Sequence, residues 1–274
     1  MANVLATEKK IQVISALAEG NSIRSVERMT GIYRDTIMRL GVKVGEDCAN
    51  FMNKTMVDLP CRTLEVDEIW GFVGKKKKNV TLNDNRELVG DAWTYVALDR
   101  DTKLVPCFKV GKLKAKTTYE FMNDLSTRLK NRPQISTDGM QAYVEAIEKA
   151  FGSEVDYGQV YKTFASDKLP SGGYSPAALV SIEKVPMLGN PNHEKICTSF
   201  VERQNLTMRM HIRRLTRLTN AFSKKMDNFK AAVALHFGYY NFVKVHKSLR
   251  TTPAMACGVS KEIWNVGDLL ERIQ

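Results

Sequence analysis

Acidic residues are nearly missing from one long stretch of this chain. Between Arg203 and Arg250, eleven Lys and Arg side chains stand against a single acid, Asp227, so ten of the formal +11 net charge lie there. That imbalance points to a partner with a polyanionic backbone. The run Lys75-Lys76-Lys77-Lys78, by contrast, reads as an ordinary solvated face. Long apolar runs are missing too. Nothing approaches the length of a bilayer span, and Val4-Leu5-Ala6 passes directly into Thr7-Glu8-Lys9-Lys10, so the expectation is a cytoplasmic protein with no membrane partner. The five cysteines (Cys48, Cys61, Cys107, Cys197, Cys257) are scattered singly and lack Cys-x-x-Cys spacing, which argues against a disulfide framework and a zinc site. They are expected to be reduced and mostly buried. His193, His211, His236 and His246 show no ligand spacing, and no repeat or low-complexity segment is visible.

What is present suffices for a real core. With 274 residues, 43% of them hydrophobic, the chain fits one large domain plus a small accessory one and excludes a disordered chain. Residues 7–43 read as three short helices. Thr7 is an N-cap candidate, Ile11, Ile14, Leu17 and Ala18 repeat at helical spacing, and Gly20-Asn21 stops the first helix. Ser22 caps the second, Thr30-Gly31-Ile32 makes the turn, and residues 34–40 form the third, although Tyr33 is a poor N-cap. A glycine turn between short helices is the helix-turn-helix signature, which would aim Arg34, Asp35, Thr36, Met38 and Arg39 at a major groove. A three-helix pack with no DNA role is the plainer alternative. Residues 48–58 read as a linking helix.

The pattern then changes to strands. Residues 63–73, 91–98 and 104–110 are rich in Val, Trp, Tyr and Phe, and Asp99-Arg100-Asp101-Thr102 supplies a turn, so a meander of three antiparallel strands is expected. A helix over 117–130, a short strand ending at Asp138, a helix over 140–151 and a strand over 157–164 follow. That alternation predicts a parallel second half of the sheet. Residues 168–192 break the pattern with Pro170, Gly172, Gly173, Pro176, Pro186, Gly189 and Pro191, and read as an inserted loop or small hairpin.

Three acids sit where a metal could be held. Asp67 lies inside a strand, where Asp is disfavoured, with Glu65 and Glu68 as rivals. Asp138 closes a strand at the carboxyl end of a parallel sheet, where α/β folds place ligands, although an Asp before a helix also serves as a plain N-cap. Glu202 opens a basic segment read as one long helix. At 100° per residue Arg209 and Arg213 fall within about 20° of Glu202, while Val201, Met208, Ile212, Leu215 and Phe222 gather opposite. Two strand carboxylates and one helix carboxylate can hold two divalent cations over a phosphodiester, the apparatus of metal-assisted phosphoryl transfer.

The order of these elements resembles the DDE transposases of bacterial insertion sequences, which share an RNase H-like fold with retroviral integrases. Phe200-Val201-Glu202-Arg203-Gln204-Asn205 resembles their acidic-helix motif. Tyr240-Asn241-Phe242 with His246, Leu249, Thr252 and Pro253 resembles their distal pattern. Lys244 stands where an Arg is common, and the gap from Asp138 to Glu202 exceeds the usual spacing, which leaves Glu194 as a rival third ligand.

The resemblance implies an α/β fold: an RNase H-like mixed five-stranded sheet with flanking helices, preceded by an all-α helix-turn-helix domain. Its divisions would be residues 1–46 for DNA binding, 47–61 for a linker helix, 62–255 for the catalytic domain with the inserted loop 168–192, and 256–274 for a C-terminal tail. It implies two Mg2+ ions, with Mn2+ able to substitute, held by Asp67, Asp138 and Glu202. It further implies double-stranded DNA partners (terminal repeats and target), a dimer or higher assembly, and a bacterial, nucleoid-associated setting. The DNA-binding set would be Arg34, Thr36, Arg39, Arg203, Arg209, Arg213, Arg217, Lys224, Lys225, Asn241 and His246. A non-catalytic regulator and a structure-selective nuclease of the same fold are the rival functions.

Overall fold

The computed structural model describes residues 5–165, 177–217 and 219–274. Three helices open it, and their first boundaries follow the local chemistry. α1 (Thr7–Ala18) starts after Ala6, one place earlier than a Thr7 cap requires. α2 (Ile23–Thr30) is capped by Ser22, whose hydroxyl accepts from Ser25 N at 3.0 Å, and stops at Gly31, left-handed at φ +69°. α3 (Arg34–Thr55) begins after Tyr33, which offers no side-chain cap. Val13, Val26 and Ile37 meet in a small core among the three.

The helices expected over 34–40 and 48–58 are one 22-residue helix. Gly41 and Gly45 lie between them and do not end it. A Cβ on Gly45 would stand 2.1 Å from Ala231 O, so this glycine lets α3 press against α7 (Met226–Phe242). Packing of that kind outweighs the ~1 kcal/mol a glycine costs a helix.

The sheet has six strands in the order β3-β2-β1-β4-β5-β6. β1 (Thr63–Val73), β2 (Gly90–Asp99) and β3 (Cys107–Gly111) form the antiparallel meander. α4 (Ala115–Arg128) leads to β4 (Gln134–Asp138), which pairs parallel with β1, and α5 (Ala142–Phe151) leads to β5 (Asp156–Ala165), parallel to β4. The sixth strand, β6 (Ala178–Leu188), corrects the five-strand expectation and, of the loop and the small hairpin expected over 168–192, answers to the hairpin; residues 168–176 lie outside the described residues. It pairs antiparallel with β5 and carries Pro186 opposite Gly158, at an irregularity in the register. An edge strand tolerates a proline there, because that backbone has no further strand to serve.

α4 and α5 cover one face of the sheet, where Tyr95 meets Phe121; the other face receives α6 (Ser199–His211) and α7, where Phe108 stacks on Phe237. The long basic helix is not continuous. α6 ends at His211, and a single 3-10 turn at Arg213–Leu215 leads into an irregular link. Arg209 donates to Leu215 O at 3.3 Å and Thr216 Oγ1 to Arg209 O at 3.3 Å, folding the chain back on the helix end. Arg213 therefore does not share a helix face with Glu202. α8 (Pro253–Ala256) starts on the Thr252 cap, and α9 (Val266–Arg272) on an Asn265/Asp268 capping box. Among the described residues, no helix is long and apolar enough to cross a membrane.

Candidate functional site

The parallel pairing of β1 with β4 aligns Thr63 with Gln134, Leu64 with Ile135 and Glu65 with Ser136. The same offset carried two places further sets Asp67 beside Asp138, at the carboxyl end of β4 where the two strands stop pairing. Alternation along β1 puts Glu65 and Asp67 on the α6 face and Glu68 on the other. Glu68 accepts from Tyr143 Oη on α5 at 2.8 Å. Glu65 is fully buried and accepts from Phe200 N (2.7 Å) and Val201 N (3.1 Å), so its carboxylate caps the start of α6. Phe200 in turn sits under the Lys103 ammonium, 3.6 Å from the ring centroid. The contacts from Phe200 N and Val201 N, both made to Oε2, make Glu65 the anchor of the Glu202 helix, while its Oε1 is buried without a hydrogen-bond partner.

Asp67 is held on both oxygens. Oδ1 accepts from Glu68 N and Oδ2 from Asn205 Nδ2, each at 2.8 Å. Burial pushes its carboxyl up to about 6; the negative charges of Asp138 and Glu202 add to that rise, and the two hydrogen bonds oppose it. Glu68 is pushed up to about 8, chiefly by burial and then by the Asp138 charge. Asp138 is exposed, and its Oδ1 accepts from Met140 N at 3.1 Å; Gln141, not Asp138, precedes α5. Glu202 is also exposed; its Oε1 accepts from Thr198 Oγ1 at 2.7 Å and pairs with Lys162 on β5. Glu194 lies in the 3-10 turn His193–Lys195, exposed, and its charge is not among those acting on Asp67.

The Asp67 carboxyl thus feels the charges of Asp138 and Glu202, yet among the described residues no three acidic, His or Cys groups stand close enough to hold a metal ion. Sequence reasoning missed Lys162 and Asn205, although both leave a trace. Asn205 is one helical turn beyond Glu202, and Lys162 is two places past Val160, the register partner of Asp138.

The expected DNA-binding residues divide. Arg34, Arg39, Arg203, Arg213, Arg217, Lys224 and Lys225 are exposed, and Thr36 is half-buried on α3. Three others are corrected toward architecture. Asn241 is fully buried and clasps Val105, accepting from its N at 3.1 Å and donating to its O at 3.0 Å, which leaves no free edge for a nucleic acid. Arg209 is half-buried and donates to the backbone carbonyls of Leu215 and Trp70. His246 is half-buried in a tight turn, bonded through its backbone N to Thr251 O and through Nδ1 to Ser248 Oγ. Lys244 reaches His211 Nε2 at 3.0 Å.

No protein-family model and no curated protein matches the chain. Among solved structures the chain is similar to the piggyBac transposase in a synaptic complex with hairpin DNA, at 11% identity over 98% of this chain and 72% of that one, with a TM-score of 0.42. It is also similar to the Mos1 strand transfer complex, at 14% identity over 57% of this chain and 59% of that one, TM-score 0.24. The Mos1 transposase paired-end complex with the left transposon end follows, at 12% identity over 54% and 58%, TM-score 0.22.

Proposed function

We propose that this chain is a DNA transposase of the DDE type, which binds the ends of its element and performs metal-dependent strand cleavage and strand transfer. The observation that carries the reading is that Asp67 and Asp138 stand on adjacent parallel strands while Asn205, one turn after Glu202 on the same helix, bonds the Asp67 carboxylate, so α6 brings Glu202 to the same end of the sheet. The residues fit a hard divalent cation. Every donor is a carboxylate oxygen, and Asn205 Oδ1, buried beside Asp67 without a hydrogen-bond partner, offers one more oxygen. Asp67, Asp138 and Glu202 would hold Mg2+, with Mn2+ as a substitute, and the ion when bound would polarise the phosphodiester and activate the attacking hydroxyl.

The chain's own side chains do the positioning. Asn205 fixes the Asp67 carboxylate, the Glu65 cap fixes the start of α6, and Lys162 neutralises Glu202 until a stronger cation competes. Glu68 keeps its proton near neutral pH and so adds no further negative charge. The helices α1 to α3 would read the element's ends through Arg34, Thr36 and Arg39, and joining two ends calls for two copies of the chain in the bacterial cytoplasm.

The test is incubation of the full chain with duplex DNA carrying the ends that flank its own gene, with and without Mg2+. Nicking at the end boundary that needs the metal supports the reading; cleavage of any branched DNA regardless of sequence would favour a structure-selective nuclease. One observation favours a second reading, a DNA-binding regulator without catalysis: Glu202 is paired with Lys162, and among the described residues no three acidic, His or Cys groups stand close enough to hold a metal ion. Sequence-specific binding with no metal uptake would select it.

A further inference from the structure

A cleft of about 740 Å3 separates α2 and the start of α3 from the link between α6 and α7. Five cationic side chains line it, Arg24, Arg34, Arg213, Arg214 and Lys224, against one acid, Asp35. Among the described residues, none of the five lies within ion-pair distance of a carboxylate. Arg214 is the most telling. Its guanidinium is largely desolvated, which lowers its pKa, and its hydrogen bond is a single one, to Ser223 Oγ at 2.9 Å. A guanidinium has five donors, and keeping it half out of water without an acid is unfavourable unless an anion comes to it.

The cleft volume falls in the ~300–1,000 Å3 range of ligand sites, room for a short stretch of one sugar-phosphate strand and too little to enclose a whole duplex. Its walls belong to the element that carries Arg34 and Arg39 and to the segment that follows Glu202. We infer that this cleft is a phosphodiester-binding groove that takes a single strand of nucleic acid, tying the N-terminal helices to the carboxylate site through one ligand. The inference rests on the nucleic-acid partner proposed above and adds where a strand would run.

The experiment measures binding of a labelled single-stranded oligonucleotide and a matching duplex to the full chain, without divalent metal, across a salt series. Arg24 and Arg213 are exposed, so Arg24→Gln/Arg213→Gln preserves the fold, which circular dichroism checks. The comparison variant is Lys54→Gln/Lys261→Gln, which removes two exposed charges outside the cleft. The cleft variant is expected to lose roughly tenfold in single-strand affinity and to flatten the salt slope by about 1.4, two contacts at ~0.7 each. Wild-type binding that the cleft variant leaves unchanged, or that both variants weaken equally, overturns the groove while the nucleic-acid reading stands. So does competition by inorganic pyrophosphate alone, with single strands ignored, because the cleft is then a small-anion site. Wild-type protein that binds neither oligonucleotide overturns both.

Discussion

Residues 199–211 and residues 240–253 both carry short motifs rich in polar groups, and the fold puts them to opposite uses. In the first, Glu202 and Arg203 remain exposed at the rim of the sheet, and Asn205 reaches across to a strand carboxylate. In the second, Tyr240, Asn241 and Thr252 each close an internal contact. Tyr240 Oη donates to Lys103 O at 3.0 Å, Asn241 clasps Val105, and Thr252 Oγ1 accepts from Met255 N at the start of α8. The motif that looked like a DNA contact is the brace that holds α7 and α8 to the loop between β2 and β3. A residue type recurring at fixed spacing indicates a demand for that chemistry, and only the partner says whether the demand is internal.

The difference is sharpest in the carboxylate substitutions. Asp67→Asn, Asp138→Asn and Glu202→Gln keep shape and remove charge, so each should abolish metal-dependent nicking, by about three orders of magnitude or more, with the fold retained in circular dichroism and urea unfolding little changed for the exposed Asp138 and Glu202. The second region should answer the opposite way. Asn241→Leu leaves the N–H and C=O of Val105 buried without partners and should cost about 2–6 kcal/mol in urea denaturation, at ~1–3 kcal/mol per orphaned group. Nicking per folded molecule should hold; a loss of DNA affinity at unchanged stability would erase the contrast.

A pH dependence follows from Asp67. Its folded-state value of about 6 lies above the ordinary carboxyl value of 3.8 that holds in the unfolded chain, so the folded state holds the proton more tightly. In EDTA, this group's contribution is full below about pH 4 and is lost as pH rises through about 6, a drop of about 3 kcal/mol at most. Asp67→Asn should remove that part of the slope, as thermal melts at pH 4, 6 and 8 would register. The smallest effect belongs to Lys162→Met. A part-exposed ion pair contributes at most about 1 kcal/mol, so stability should hardly move, while Mn2+ should bind more tightly because Glu202 is released. Weaker Mn2+ binding would mean that Lys162 supports the site instead of competing with it.

Much of this was legible in the sequence. Strand alternation located β1 to β5 and their mixed pairing, and Ser22 and Gly31 marked the first turns of the helical region. What escaped notice lacked a local mark or carried a misleading one. β6 was hidden by Pro186, a strand breaker that an edge position tolerates. The stop of α6 at His211 has neither Gly nor Pro beside it, and side-chain bonds from Arg209 and Thr216 made over several residues hold the chain in its turn. The third helix and the linking helix read as separate in the sequence, with Gly41 and Gly45 between them, and the packing of α3 on α7 carries one helix through. At the site, Asp67, Asp138 and Glu202 stood out because an acid in or beside a strand needs a reason. Asn205 and Lys162 did not, because an amide on a helix and a lysine in an outer strand are ordinary until the register brings them to those acids.

Calorimetric titration of Mn2+ into the full-length protein, beside Asp67→Asn and Lys162→Met, tests the central claim most directly. The account predicts saturable uptake by the wild type, loss of that uptake in Asp67→Asn and tighter uptake in Lys162→Met. Wild-type protein that takes up no metal, or takes it up equally well without the Asp67 carboxylate, would contradict it.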